Sequence, residues 1–91
     1  MNVHVNEISP YIRTLVKNAV EVGCEREAIE LKEAESAAYT TSSEYLGEVG
    51  GALIKFWDSI GCKMPESSEL TARKCLNEIK KVWPNFKLPT V

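Results

Sequence analysis

The chain has 91 residues, a net charge of −2, 44% hydrophobic residues and 26% charged residues. So short a chain holds one domain, 1–91, around one core, and its balanced composition excludes both disorder and a bulk attraction to nucleic acid or anionic membranes. No apolar run approaches the roughly 18 residues needed to cross a bilayer, so no membrane partner is expected. The charge is unevenly divided: residues 1–45 hold eight acids and four bases (−4), and residues 46–91 hold five acids and seven bases (+2). The amino-terminal residues show neither a basic region nor an uninterrupted apolar segment of the kind a signal peptide has. With three cysteines, an odd number and no C-x-x-C pair, this favours reduced thiols and a cytoplasmic location.

In chain order, Val3-His4-Val5 is expected to form an extended arm. Ser9-Pro10 then marks a helix start, with serine as N-cap and proline in the first turn. Tyr11, Ile12, Leu15, Val16, Ala19 and Val20 recur at helical spacing, and Gly23 supplies a left-handed stop. Residues 25–39 are rich in helix formers, with a thin apolar arc of Ala28, Leu31, Ala34 and Ala38 and five glutamates around it. Thr41 and Glu44 fit a capping box for a third helix ending at Gly61, whose seam is Leu46, Val49, Leu53, Phe56 and Ile60. A fourth helix is expected from Ser67 or Ser68, carrying Ala72, Cys75, Leu76, Ile79, Val82 and Trp83 on one side, with Trp83-Pro84 ending it. The fold class is therefore all-α: a compact bundle of about four helices with an extended N-terminal arm and an irregular C-terminal tail.

The third helix contains Gly47, Gly50 and Gly51, each costing about 1 kcal/mol relative to alanine in a helix interior. At about 100° per residue, Ser43, Gly47, Gly50 and Ile54 share one narrow stripe beside the seam and beside Trp57. Such a stripe admits a close neighbour, and the alanine-lined second helix is its expected occupant. Two alternatives stay open: Gly50-Gly51 breaks the helix, or the stripe receives a partner molecule.

Chemistry is sparsely provided for. His4, the one histidine, lies in the terminal arm, and Asp58, the one aspartate, lies on a polar helix face. No catalytic residue is assigned, and the chain is not expected to be an enzyme. His4, Cys24, Cys62 and Cys75 would make a nominal zinc set, but no two of them form a local chelating pair and Cys75 reads as core, so no metal is expected. No phosphate-loop pattern is present and no cofactor is expected. Arg73, Lys74, Lys80 and Lys81, with Lys87 beyond, give the fourth helix a basic side that makes nucleic acid a candidate partner, although the last-turn lysines also complement the helix dipole. Tryptophan is enriched at interface hot spots. Trp83 is expected to cap the core, and Trp57 either caps it or faces a partner.

From Tyr45 onward, EYLGEVGGAL, CKMP and LNEIKKVWPNFKLP follow one another. In this order the chain resembles small immunity proteins that neutralise peptidoglycan amidases delivered by type VI secretion. Tyr45, Leu46, Gly47, Cys62, Pro65, Trp83, Pro84, Leu88 and Pro89 take places comparable to the family's. Ser42 or Ser43 stands where the family has a cysteine, and its final helix is not seen, so no disulfide or amidase contact carries over. The resemblance implies a non-enzymatic inhibitor.

The favoured reading is a small binding protein that blocks or regulates a partner macromolecule, of immunity, anti-defence or inhibitor type. Its protein-binding surface is assigned to Gly47, Gly50, Gly51, Ile54, Trp57, Glu30 and Glu33. One alternative is a helical nucleic-acid-binding regulator using Arg73, Lys74, Lys80 and Lys81. Another is a small-ligand-binding homo-oligomer.

Overall fold

A computed structural model describes residues 3–89, with side chains over 8–89. Among these residues are helices α1 (Val3–Glu21), α2 (Glu25–Ser36), α3 (Ser42–Ile60) and α4 (Glu66–Lys80), with one 3-10 turn, Gly61–Lys63, and no strand. The all-α bundle is thus as the sequence reading has it. α1 lies at the centre of the packing, against α4 and α2, and α3 closes the bundle across α2 and α4.

The first helix starts earlier than its local signals indicate. The arm over Val3–Val5 is helical backbone, and Ser9 and Pro10 lie inside α1 rather than at its start. Proline lacks the N–H that a helix interior uses, so tertiary contacts must offset the lost bond. Ile8 is fully buried and extends the Ile12–Leu15–Ala19 row by a further four residues. Ser9 Oγ donates to Glu35 Oε2 on α2 at 3.0 Å. Burying Ile8 contributes about 1.5–3 kcal/mol, which offsets much of the roughly 3 kcal/mol that an interior proline costs, and the Ser9–Glu35 hydrogen bond adds to it. The side chain of His4 lies outside the described residues.

Gly23 acts as anticipated. Its φ of +85° is the one positive value among the described residues. The Gly23 N–H reaches the Val20 carbonyl at 3.0 Å and the Cys24 N–H reaches that of Ala19 at 2.8 Å, the paired bonds of a Schellman end. Cys24 and Ala19 are both buried at this corner, which turns the chain into α2.

α2 stops at Ser36, three residues short of Tyr39, and only Ala28 and Leu31 of its arc are buried. Tyr39 leaves the helix to donate to the Ala34 carbonyl at 2.7 Å and to meet Tyr45 edge-on, with ring centroids 5.7 Å apart. Thr41 caps α3 by accepting from the Glu44 N–H at 3.1 Å, while Glu44 Oε1 accepts from the Thr40 N–H at 2.9 Å. The reciprocal pairing is that of a capping box, displaced by one residue on its return bond. Every residue of the expected α3 seam is buried, and the helix runs unbroken through Gly50-Gly51. Gly61 stays right-handed, with φ −54°, and starts the 3-10 turn.

α4 starts after Pro65, which offers no side-chain cap. Ser68, expected near its start, is instead fully buried and accepts a hydrogen bond from Asn18 Nδ2 of α1 at 2.8 Å. This places a satisfied polar contact in the α1–α4 interface. Val82 and Trp83 fall beyond the end of α4, in the turn that begins the tail.

Candidate binding surfaces

The glycine stripe of α3 is occupied from within the chain, and its occupant differs from the one expected. A Cβ at Gly50 would lie 2.6 Å from Phe86 Cε2 and 3.1 Å from Ile79 Cγ2, and one at Gly47 would lie 3.3 Å from the Trp83 indole. The tail and the end of α4, not α2, therefore take the stripe. At Gly47 the bare backbone has a specific use: it lets Trp83 Nε1 reach the Ser43 carbonyl at 2.8 Å, one turn earlier on α3. Gly51 faces open space, with nothing within 4 Å of its missing Cβ.

This geometry redistributes the residues assigned to partner binding. Trp57 is buried and belongs to the core, and Gly50 is sealed beneath Phe86. Gly47 and Ile54 are half-buried, and Ile54 packs against the core as well. Trp83 remains 44% exposed despite its hydrogen bond, so it covers the stripe rather than capping the core from inside. Gly51, Glu30 and Glu33 stay on the surface.

Glu30 and Glu33 do come together with other groups. They line a cleft of about 260 Å³ between α2 and α3 with Glu27, Leu31, Ala52, Lys55, Phe56 and Ser59. The cleft follows from the thin apolar arc of α2. Its apolar lining is the half-buried Ala52 with Leu31 and Phe56, both almost fully buried, and three carboxylates share the same cleft. With Lys55 opposite, the formal charge of the cleft is −2 (three acids, one base). Glu27 and Phe56 are visible in the sequence as an acidic residue and a seam residue, but their meeting requires the α2–α3 packing.

A second groove, of about 360 Å³, carries the opposite charge. Arg73, Leu76, Asn77 and Lys80 of α4 line it with Lys87 and Leu88 of the tail. Arg73 is paired with Glu69 at 2.9 Å. Of the expected cationic set, Lys74 and Lys81 fall outside the groove, and Lys81 holds Glu78 at 2.9 Å.

Between α1 and α2 a third cleft, of about 320 Å³, is lined by Ile12, Arg13, Val16, Lys32 and Glu35. The Glu35 carboxylate at its edge accepts from Ser9 and, at 3.4 Å, from the Tyr45 hydroxyl. Burial, and after it the negative charge of Glu35, pushes the Tyr45 phenol up to about 12. Burial likewise pushes the Cys75 thiol up to about 12, with Glu78 adding to the effect. A thiol so protonated is no nucleophile. Cys24 is also buried, Cys62 is exposed, and all three cysteines are free. Among the described residues no three His, Cys, Asp or Glu side chains converge on a point that would hold a metal ion, and no helix is long and apolar enough to cross a membrane.

Comparison with family models, with curated proteins and with solved structures gave no match for the chain.

Proposed function

We propose that this is a small, non-enzymatic binding protein that inhibits or regulates a protein partner, in the manner of an immunity protein, through the cleft between α2 and α3. The observation that supports this reading is the combination found there: an apolar floor of Leu31, Ala52 and Phe56 under a rim of Glu27, Glu30 and Glu33. Protein interfaces pair a buried apolar centre with a polar rim in this way, and rim charges select the partner and speed its approach. The complementary segment carries an apolar or aromatic side chain flanked by lysine or arginine. Burying one such anchor supplies most of the binding energy expected of a hot spot, while the carboxylates set orientation.

The test is affinity capture from the native host with the tagged protein, followed by mass spectrometry. A genuine partner is captured by the wild type, lost by Glu30→Lys/Glu33→Lys, and retained by Lys80→Ala/Lys81→Ala. Both glutamates are exposed, so the charge reversal leaves thermal unfolding close to that of the wild type. Capture that survives the reversal at unchanged salt sensitivity overturns the assignment of this cleft.

A further inference from the structure

The groove between α4 and the tail is independent of the acidic cleft and on another part of the surface. Arg73, Asn77 and Lys80 are spaced four and three residues apart on α4, so they form a single stripe. Lys87 joins them from the tail, and Phe86 explains how. Its ring fills the space that a side chain at Gly50 would occupy, which pins the adjacent residue beside α4. The bare position on α3 thus helps to complete a cationic surface built from residues that are remote in sequence. Counting Glu69, which is bonded to Arg73, the three cations leave a local charge of +2 on a chain whose total is −2.

We propose that this groove binds the phosphate backbone of a single-stranded nucleic acid. Its donors are a guanidinium, two ammonium groups and an amide, the side chains that bond phosphate oxygens. They are spread along a lane rather than aimed at one point, which matches repeating charges better than one isolated anion. The lane is one helix stripe wide. Lys74 and Lys81 stand outside it, Lys81 held by Glu78, so the surface suits one strand rather than the two of a duplex. Leu76 is buried and Leu88 half-buried along the floor. Leu88 offers apolar contact to sugar and base without projecting as a wedge for bilayer or duplex, and Leu76 supports it from below.

The experiment is fluorescence anisotropy with a fluorescein-labelled, mixed-sequence single-stranded oligonucleotide, titrated between about 50 and 200 mM salt. Binding weakens as salt rises, and Lys80→Ala/Lys87→Ala lowers the slope of log K against log salt by about 1.4, from about 0.7 per lost phosphate contact. Phe86→Ala, which releases Lys87 without removing a charge, lowers it by about half as much. Lys63→Ala, on the exposed 3-10 turn outside both clefts, leaves it unchanged. The proposal is overturned by an absence of salt-dependent binding or by a slope that the double variant does not alter. It is equally overturned if Lys63→Ala reduces the slope as much. Displacement of the oligonucleotide by inorganic triphosphate at equal phosphate concentration would assign the groove to a free phosphate ligand instead.

Discussion

The three glycines of α3 share a sequence context and have three different surroundings, so single substitutions separate them. Gly51→Ala meets no neighbour and removes a mid-helix glycine, so it should stabilise the protein by about 1 kcal/mol. Gly50→Ala makes the same gain in propensity, but its methyl group collides with Phe86 and crowds Ile79. Overpacking costs about 1–3 kcal/mol, which cancels or exceeds that gain. Urea unfolding of both variants should therefore place Gly51→Ala above the wild type and Gly50→Ala at or below it. If Phe86 is the source of the cost, much of it disappears in a Phe86→Ala background, a coupling that a double-mutant cycle reads directly. Equal stability of the two alanine variants would contradict the packing of the tail on α3.

The thiols and phenols give a second residue-level check. Cys62 is exposed while Cys24 and Cys75 are buried. A chromogenic disulfide reagent should modify one thiol rapidly in the native protein and all three in denaturant. Rapid modification of a second thiol would show that the core opens at α4 or at the α1–α2 corner. Tyr45 and Cys75 both have folded values near 12, above their ordinary 10 and 9. A group whose pKa is raised by folding favours the folded state below its unfolded value, and that contribution fades as pH rises through the folded value. Stability from these two groups is therefore complete below about pH 9 and is lost between about pH 9 and 12, which denaturant midpoints across that range should show.

At the scale of the element, the helix ends are set by a few polar contacts whose removal has a defined cost. Thr41→Ala deletes the side chain that accepts from the Glu44 N–H and should destabilise the protein by about 1 kcal/mol. The α1–α4 contact depends on Asn18 and the fully buried Ser68. Asn18→Ala leaves that hydroxyl without its donor and should cost about 1–3 kcal/mol, while Ser68→Ala in the same background recovers part of the loss. These boundaries were unequally legible. The Thr41/Glu44 pair and Gly23 carry strong local signals and sit where the sequence reading puts them. Ser9-Pro10 also resembles a helix start, but Ile8 and the Ser9–Glu35 hydrogen bond reward a helix that continues through it. Ser68 resembles a cap and is used as a buried acceptor, because the cap signal takes no account of α1 lying against that face.

Across the whole molecule, two clefts of opposite charge lie between different pairs of elements, and the tail controls one of them. Removing the chain from Trp83 onward would uncover Gly47, Gly50 and Ile79 and would also take away Lys87. The truncated protein should unfold at lower temperature and bind a hydrophobic dye more strongly than the full chain, while leaving the α2–α3 cleft intact. An unchanged melting temperature would mean that the tail contributes little to the core. Of the candidate sites, the carboxylates of α2 and the cations of α4 were apparent as charge patterns. Their separation into an acidic cleft with Leu31 and Phe56 and a basic groove with Lys87 was not, because sequence spacing orders residues along one helix and is silent about which residues another segment brings alongside.

The sequence by itself determined the class of fold, the seam of α3, the left-handed corner at Gly23 and the capped start of α3, since each depends on periodicity or on contacts within a few residues. It also raised a close approach to the bare backbone of α3 as one reading, beside a helix break at Gly50-Gly51 and an external partner. Only the tertiary structure decided that the neighbour is Trp83 and Phe86 rather than α2, that Trp57 is interior, and that Lys87 stands beside Arg73 and Lys80. Those outcomes depend on how the tail competes with α2 for the same stripe. That competition is settled by the shape and burial of surfaces from separate segments, a property that no single stretch of the chain encodes.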